Sequence, residues 1–208
     1  LHPVFPHNPA HASPYSPSSR AWLNVLYIDV EAAAGFGDCE AARQLVRSPA
    51  FQQRLAALRA APLVDHAGVW AAKDEVLQLL FAHFGERGAD DALVQEFQRF
   101  RAQGGDALQA QALFDALQAH MHAQDPSRWG WRAWPEEWRD RHGARVRDFE
   151  REHAGRLAYF QYLQWLAARQ LDEAARACGA AGMPIGLYLD LAVSVDRGGA
   201  DSWRHADC

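Results

Sequence analysis

Residues 13–20 carry an unusual density of groups that could hydrogen-bond to a neutral polyol. The run reads Ser-Pro-Tyr-Ser-Pro-Ser-Ser-Arg, which supplies one phenol, one guanidinium and several hydroxyls. Its prolines remove backbone donors and restrict the preceding residues, so the run is predicted to be a stiff loop. Hydroxyl donors beside a flat ring suit a sugar, which has hydroxyls at its edges and C–H patches on its faces. A surface loop without a ligand is the alternative interpretation.

A second group of aromatic residues lies between residues 129 and 138. It consists of Trp129, Trp131, Trp134 and Trp138. Tryptophan rings can stack on sugars, but buried tryptophans also anchor connecting segments by packing. We interpret this group as core packing, with sugar stacking as the alternative.

The histidines and cysteines do not form a pattern typical of metal ligands. His120 and His122 are two positions apart on a predicted helix, so their side chains point to nearly opposite faces. His205 and Cys208 are closely spaced but have no second pair beside them. No G-x-G-x-x-G or Walker-type run is present, so nucleotide binding has no support. We therefore expect neither a metal ion nor another cofactor.

Composition narrows the classes of partner. The chain has 208 residues and a formal net charge of −5, with 21 Lys and Arg against 26 Asp and Glu, so its surface should repel a phosphate backbone. No apolar run approaches the roughly 20 residues needed to cross a bilayer. The three cysteines form no C-x-x-C pair, which favours a reduced compartment. We expect a cytoplasmic protein that binds neither nucleic acid nor membrane.

Two short apolar runs and several helical patterns indicate an α/β fold. Residues 23–30 are β-branched and aromatic and predict a strand or extended segment. Residues 185–195 form a nearly continuous apolar run after a helix, which is typical of a strand buried in a parallel sheet. Helical periodicity is found in residues 50–60, 65–84, 93–100, 108–117 and 145–178. Ser48 before Pro49, and Asp65, are predicted helix caps. The many apolar residues of 145–178 predict a well-buried helix. Gly104-Gly105 predicts a break between two of these helices.

Four sequence blocks together resemble one enzyme family. The blocks are Ser-Pro-Tyr-Ser-Pro-Ser-Ser-Arg with the apolar run after it (13–30), a Gln-Trp-Leu helix (162–171), the apolar run with its preceding turn (182–193), and Gly-Ala-Asp-Ser-Trp (199–203). In this order they resemble the bacterial amylomaltases, or 4-alpha-glucanotransferases. Leu1-His2 and Phe5-Pro6 also match the end of that family's first barrel strand and the loop beyond it.

The resemblance implies a (β/α)8 barrel with helical insertions. A complete barrel needs about 250 residues before insertions, so we expect an internal fragment with only the first strands of a partial TIM barrel. A large helical insertion makes the fragment mostly α. The expected division is a barrel segment with the Ser-Pro-Tyr loop (1–37), a helical insertion subdomain (38–143), and a barrel helix with the following buried strand (144–208).

The resemblance also implies which residues meet the substrate. Ser13 and Tyr15 are expected to contact a bound glucan near the scissile bond. Asp190 lies in the strand whose equivalent in the wider α-amylase clan supplies an active-site Asp, but the match around it is loose. A sugar contact and a structural hydrogen-bonding role both stay open for Asp190.

No catalytic residue is assigned to this chain. The family's nucleophile lies in an Arg-x-Asp-His run, and no such run is present. The acid/base Glu and a supporting Asp are likewise expected downstream, in the remainder of the parent polypeptide.

The function implied is transfer of α-1,4-glucan segments between maltodextrins by a retaining double displacement. The isolated fragment is expected to be inactive, because the reactive carboxylates lie outside it. The alternative is a non-catalytic helical module that binds maltodextrin or a protein partner. Another retaining enzyme of the amylase clan fits the Ser-Pro-Tyr and Gln-Trp-Leu blocks less well.

Overall fold

The described chain is built almost entirely from helices. The structure is a computed structural model that describes residue 13 and residues 15–206, and no strand occurs among them. Its α-helices are α1 (Glu40–Arg47), α2 (Pro49–Ala60), α3 (His66–Phe84), α4 (Ala92–Gln124), α5 (Ala144–Glu152), α6 (Ala154–Ala180) and α7 (Ala200–Arg204). Short 3-10 turns occupy Val25–Tyr27, Phe36–Asp38, Trp131–Ala133 and Glu136–Trp138. None of the described helices is both long enough and apolar enough to cross a membrane.

Side-chain caps set where three of the helices begin. The Ser48 hydroxyl accepts a hydrogen bond from the Phe51 N–H at 3.3 Å, and a proline occupies the first position of α2. Asp65 caps α3 in the same way, and Asp91 accepts from the Leu93 N–H at 2.8 Å to begin α4. These oxygens satisfy donors that have no partner within the helix. The caps predicted at Ser48 and Asp65 are confirmed.

The break predicted at Gly104-Gly105 is confirmed as a kink that separates the two halves of α4. Gly105 has φ 49° and ψ −139°, outside the helical region, while helix continues on both sides from Ala92 to Gln124. A positive φ is readily adopted only by glycine, which has no Cβ. The kink turns the two halves of α4 toward different parts of the core.

The first half of α4 packs against α3 and α6 through aromatic rings. Phe84 and Phe97 meet edge to face at 5.6 Å between ring centroids. Tyr162 and Trp165 of α6 complete this group, with centroids 5.1 Å and 5.5 Å from Phe84. Edge-to-face and tilted contacts of this kind add to the free energy gained from burial. The prediction that the Gln-Trp-Leu helix is well buried is confirmed for Leu157 to Ala167.

The second half of α4 packs against α7 and against residues 129–138, called here the tryptophan connector. The Phe114 ring lies 5.3 Å from Trp134 and 5.8 Å from Trp203, centroid to centroid. All three side chains are at most 1% exposed. This second aromatic group attaches α7 to the body of the molecule.

Residues 23–30, predicted to be a strand or an extended segment, form no strand, and a 3-10 turn stands at their centre. Side chains from neighbouring helices take the hydrogen bonds that an adjacent strand would have made. The Gln164 amide accepts from the Leu23 N–H at 3.0 Å and donates to the Leu23 carbonyl at 2.9 Å. Gln170 pairs with both backbone groups of Asp29 at 2.9 and 2.8 Å. The segment therefore lies on α6 instead of joining a sheet.

The buried strand predicted for residues 185–195 is also wrong in the described chain. This segment has no regular secondary structure, and its apolar side chains face solvent: Tyr188 is 91% exposed and Val193 93%. A strand buried in a parallel sheet needs hydrogen-bonding neighbours and helices over both faces. Residue 13 and residues 15–206 contain no other strand that could pair with it.

The Phe114 packing can be tested by truncation. Phe114→Ala should lower the free energy of unfolding by about 3–5 kcal/mol, because it leaves a cavity between two buried tryptophans. Leu63→Ala is the control: Leu63 is 83% exposed, and the change should stay within about 0.5 kcal/mol. Urea denaturation followed by tryptophan fluorescence measures both variants. Equal effects would contradict the packing described.

The kink at Gly105 can be tested with a matched glycine. Gly105→Ala should destabilise the chain by about 1–3 kcal/mol, because an L-residue is strained at this positive φ. Gly155 in α6 has an ordinary φ and open space where a Cβ would stand, so Gly155→Ala should stabilise by up to about 1 kcal/mol. Thermal unfolding of both variants compares them. Stabilisation by both would show that α4 runs straight.

Asp115 should make stability depend on pH. It lies half-buried on α4, and the Gln111 amide donates to both of its carboxylate oxygens at 3.1 Å. Burial raises the pKa of Asp115 from 3.8 to about 7, so the folded state keeps a proton that the unfolded chain releases. The stability from this group is therefore present below about pH 4 and is lost as pH rises toward 7.

Asp115→Asn removes this titration and should flatten the decline. The free energy of unfolding, measured by urea denaturation at several pH values between about 4 and 7, should change less with pH than in the unsubstituted chain. An unchanged slope would show that another group is responsible.

Candidate functional site

Residues 13–20, called here the Ser-Pro-Tyr loop, present an accessible aromatic ring. The Ser13 hydroxyl accepts a hydrogen bond from the Tyr15 N–H at 3.3 Å, and the Ser13 carbonyl accepts from Ser16 N–H at 3.2 Å. These two bonds form a tight turn in a segment that proline keeps out of regular structure. Tyr15 is 69% exposed. Its ring and phenol are therefore free to meet a ligand from solution.

The Ser-Pro-Tyr loop lies beside residues 193–203, called here the clamp segment. The Ser194 hydroxyl donates to the Tyr15 carbonyl at 3.0 Å, and the Asp196 N–H donates to the Pro17 carbonyl at 2.8 Å. Ser194 follows Asp190 by four residues. Two blocks that are far apart in sequence thus meet at one surface.

Asp190 lies on the exposed segment that precedes the clamp segment. Its side chain faces solvent, and none of the described residues forms a hydrogen bond with it. Its role in binding a sugar stays a prediction, as do those of Ser13 and Tyr15.

The tryptophan connector packs under the clamp segment and holds α7 in place. Trp134 is fully buried and Trp138 is 7% exposed, so the core-packing interpretation is confirmed for these two rings. Trp131 is half-buried, and its indole N–H donates to the Ser202 hydroxyl at 3.0 Å. The connector therefore holds α7, which forms the C-terminal part of the clamp segment.

Sequence reasoning missed the residues that hold the loop in place. Ser18 and Ser19 are 3% and 0% exposed, although the loop reads as a polar surface segment. The Ser18 hydroxyl accepts from the Ala200 N–H at 3.0 Å, and Asp201 accepts from the Arg20 N–H at 2.9 Å. The only signal in the sequence was that both segments belong to the same set of family blocks.

A cavity of about 610 Å³ lies elsewhere, between α2, α3 and residues 27–31. It was not predicted, and Ser13, Tyr15 and Asp190 do not line it. Lys73, on its wall, donates to the Leu26 carbonyl at 2.7 Å and to the Ile28 carbonyl at 2.6 Å. Burial lowers the pKa of the Lys73 ammonium. With two carbonyls held by this ammonium, Lys73 supports the backbone of residues 26–28 and is not positioned as a reactive amine.

The histidine pair on α4 points in two directions, as its spacing predicts. The His120 ring packs near Phe149, 5.1 Å between centroids, whereas the His122 ring packs on Trp129 at 4.4 Å. No three His, Cys, Asp or Glu side chains of the described part of the chain converge as metal ligands would.

The described surface offers groups suited to binding a sugar, but the sequence lacks the nucleophile motif expected for cleavage of a glycosidic bond. Exposed hydroxyls and an aromatic ring provide hydrogen bonds and a stacking face. The chain has no Arg-x-Asp-His run to supply a nucleophilic carboxylate. The site is therefore an accessible polar and aromatic surface, and the residues that would cleave a glycosidic bond are not identified within it.

Comparison with known proteins finds similarity to 4-alpha-glucanotransferases along the whole chain. The family model described as 4-alpha-glucanotransferase, glycoside hydrolase family 77, matches residues 1–208. A 4-alpha-glucanotransferase of Haemophilus influenzae is 34% identical over 212 residues, covering 100% of this chain and 30% of that protein. One from Mycobacterium tuberculosis is 34% identical over 199 residues, covering 96% of this chain and 26% of that protein.

A solved structure shares the fold. The crystal structure of amylomaltase from Corynebacterium glutamicum superposes with a TM-score of 0.73 at 28% identity, covering 99% of this chain and 26% of that one. The chain thus spans between about a quarter and a third of the length of these relatives. On this sequence and structural similarity, the chain belongs to the 4-alpha-glucanotransferase family.

Proposed function

We propose that this chain is the substrate-facing segment of an enzyme that transfers α-1,4-glucan segments between maltodextrins. Family membership supports the reaction class, and the exposed Tyr15 beside the clamp segment is the observation that carries the proposal for this chain. The substrate is a maltodextrin, the enzyme acts in the cytoplasm, and no cofactor is needed.

The reaction is a retaining double displacement. A carboxylate attacks the anomeric carbon and the glycosidic oxygen leaves with a proton from an acid; the hydroxyl of a second glucan then attacks the covalent intermediate. Both carboxyl groups come from the remainder of the parent polypeptide. Within this chain, Tyr15 supplies a ring for a sugar face, and Ser13 has a hydroxyl proton to donate to a sugar oxygen.

The exposed apolar run explains how this segment joins its parent. Residues 185–195 become a strand of a (β/α)8 barrel when other strands are available for pairing, and Asp190 then lies near the glucan. Residues 1–37 and 144–208 belong to that barrel, and residues 38–143 form the helical insertion. The large exposed fractions of Tyr188 and Val193 support this proposal, because apolar side chains of this size are normally covered.

The first test compares the isolated chain with the complete enzyme that contains it. Both are incubated with maltotriose, and free glucose and longer oligosaccharides are measured. The complete enzyme should produce both, and the isolated chain neither. Sustained transfer by the isolated chain would place the carboxylates inside it; maltodextrin binding without transfer by the complete enzyme would indicate a non-catalytic module.

Tyr15→Ala in the complete enzyme should raise KM for maltotriose about threefold to tenfold, since aromatic stacking contributes about 0.5–1.5 kcal/mol. Tyr27→Ala is the matched control, because Tyr27 is 67% exposed but lines the separate cavity between α2 and α3, which Ser13, Tyr15 and Asp190 do not line. Steady-state kinetics distinguish the variants, and an equal change in both would contradict the role of Tyr15.

A further inference from the structure

The Ser-Pro-Tyr loop depends on the clamp segment for its backbone hydrogen bonds. A loop without regular structure must find partners for its N–H and C=O groups elsewhere. Asp201 provides two of them: its N–H donates to the Ser18 carbonyl at 3.0 Å, and its carboxylate accepts from the Arg20 N–H at 2.9 Å. A single residue thus holds the loop on both sides of Ser19.

Glycines set the distance between the loop and the clamp segment. A Cβ on Gly199 would stand 2.6 Å from the Ser18 carbonyl oxygen and 2.7 Å from the Ser18 Cα. On the opposite side, the Gly198 carbonyl accepts from the Trp131 N–H at 3.1 Å. The loop therefore lies in backbone contact with the clamp segment, which is itself hydrogen-bonded to the tryptophan connector.

Trp203, two positions after Asp201, fixes the clamp segment to the core. Trp203 is 1% exposed, and its indole N–H donates to the Arg139 carbonyl at 2.7 Å. The Arg20 guanidinium also donates to the Val193 carbonyl at 3.2 Å, at the first residue of the clamp segment. Asp201 thus joins a rigid, buried anchor to the segment that carries Tyr15.

We propose that Asp201 is a positioning residue for glucan binding: its carboxylate sets the pose of the loop that presents Tyr15. This inference rests on the proposed function of Tyr15. An ionised carboxylate is a stronger acceptor than a neutral amide oxygen, so the Asp201–Arg20 bond is the one that a side-chain change alters. Without it, the remaining hydrogen bonds hold the loop less tightly, so the orientation of Tyr15 is less fixed and binding weakens while the chemical step does not.

The test uses Asp201→Ala and Asp201→Asn in the complete enzyme, with Asp90→Ala as control because Asp90 is an exposed carboxylate distant in sequence from both segments. Asp201→Ala should raise KM for maltotriose about tenfold, corresponding to about 1.4 kcal/mol of binding, with kcat changed less than about twofold. Asp201→Asn, which retains an oxygen acceptor, should raise KM only about threefold, and Asp90→Ala should leave both constants unchanged.

Amide hydrogen exchange measures the positioning independently of activity. Peptides covering residues 15–22 should exchange about fivefold faster in Asp201→Ala than in the unsubstituted protein, and at an unchanged rate in Asp90→Ala. If Asp201→Ala does not fold, the same two measurements on Asp201→Asn decide the question. Unchanged exchange and KM, or a loss confined to kcat, would overturn the positioning role.

The two proposals fail in different ways. An unsubstituted complete enzyme that transfers glucan, combined with Asp201 variants of unchanged KM, overturns the positioning role and leaves the function intact. An unsubstituted enzyme that transfers no glucan overturns the proposed function and with it the role in glucan binding, even where the exchange data support the contact between loop and clamp segment.

Discussion

Backbone groups outside the helices must find hydrogen-bond partners, and the rest of this structure depends on how the helices supply them. Gln164 and Gln170 each bond to both the N–H and the C=O of a single residue in the 23–30 segment. Lys73 of α3 donates hydrogen bonds to two further carbonyls of this segment. The helical layer thus replaces the neighbouring strands of a sheet with side-chain amides and one ammonium group. An unpaired buried backbone group is costly, so these polar side chains decide where the irregular segments lie.

The same constraint explains which parts of the fold could be predicted from the sequence. Helix periodicity, the caps at Ser48 and Asp65 and the glycine kink are local, because the residues that cause them lie within a few positions of their effect. Both predicted strands were wrong in the described chain, because a strand depends on partners remote in sequence. Residues 185–195 are mostly apolar, as a buried strand would be, but the described residues contain no sheet with which this segment could pair.

The candidate site divides along similar lines. The Ser-Pro-Tyr loop could be identified from its sequence, because hydroxyls and a phenol are groups that can bind a sugar wherever they are exposed. The resemblance to a family then indicated which of its residues are candidate contacts. The clamp segment could not, because Ser18 and Asp201 are ordinary polar residues until the structure brings them within 3.0 Å of the other segment's backbone. Buried hydroxyls in a serine-rich loop carry no sequence signal that distinguishes them from exposed ones. The predictions made for Ser13, Tyr15 and Asp190 remain to be tested by experiment.

The kinked helix α4 has a consequence for how the molecule unfolds. Phe97 on its first half belongs to the aromatic group with α3 and α6, and Phe114 on its second half belongs to the group with Trp134 and Trp203. These two residues are at most about 25 Å apart along the helix, at 1.5 Å per residue. Because the two halves of α4 are joined directly at Gly105, with no connecting loop between them, loss of either aromatic group removes support from the other. The two groups should therefore be lost in one cooperative step, without a stable half-folded intermediate.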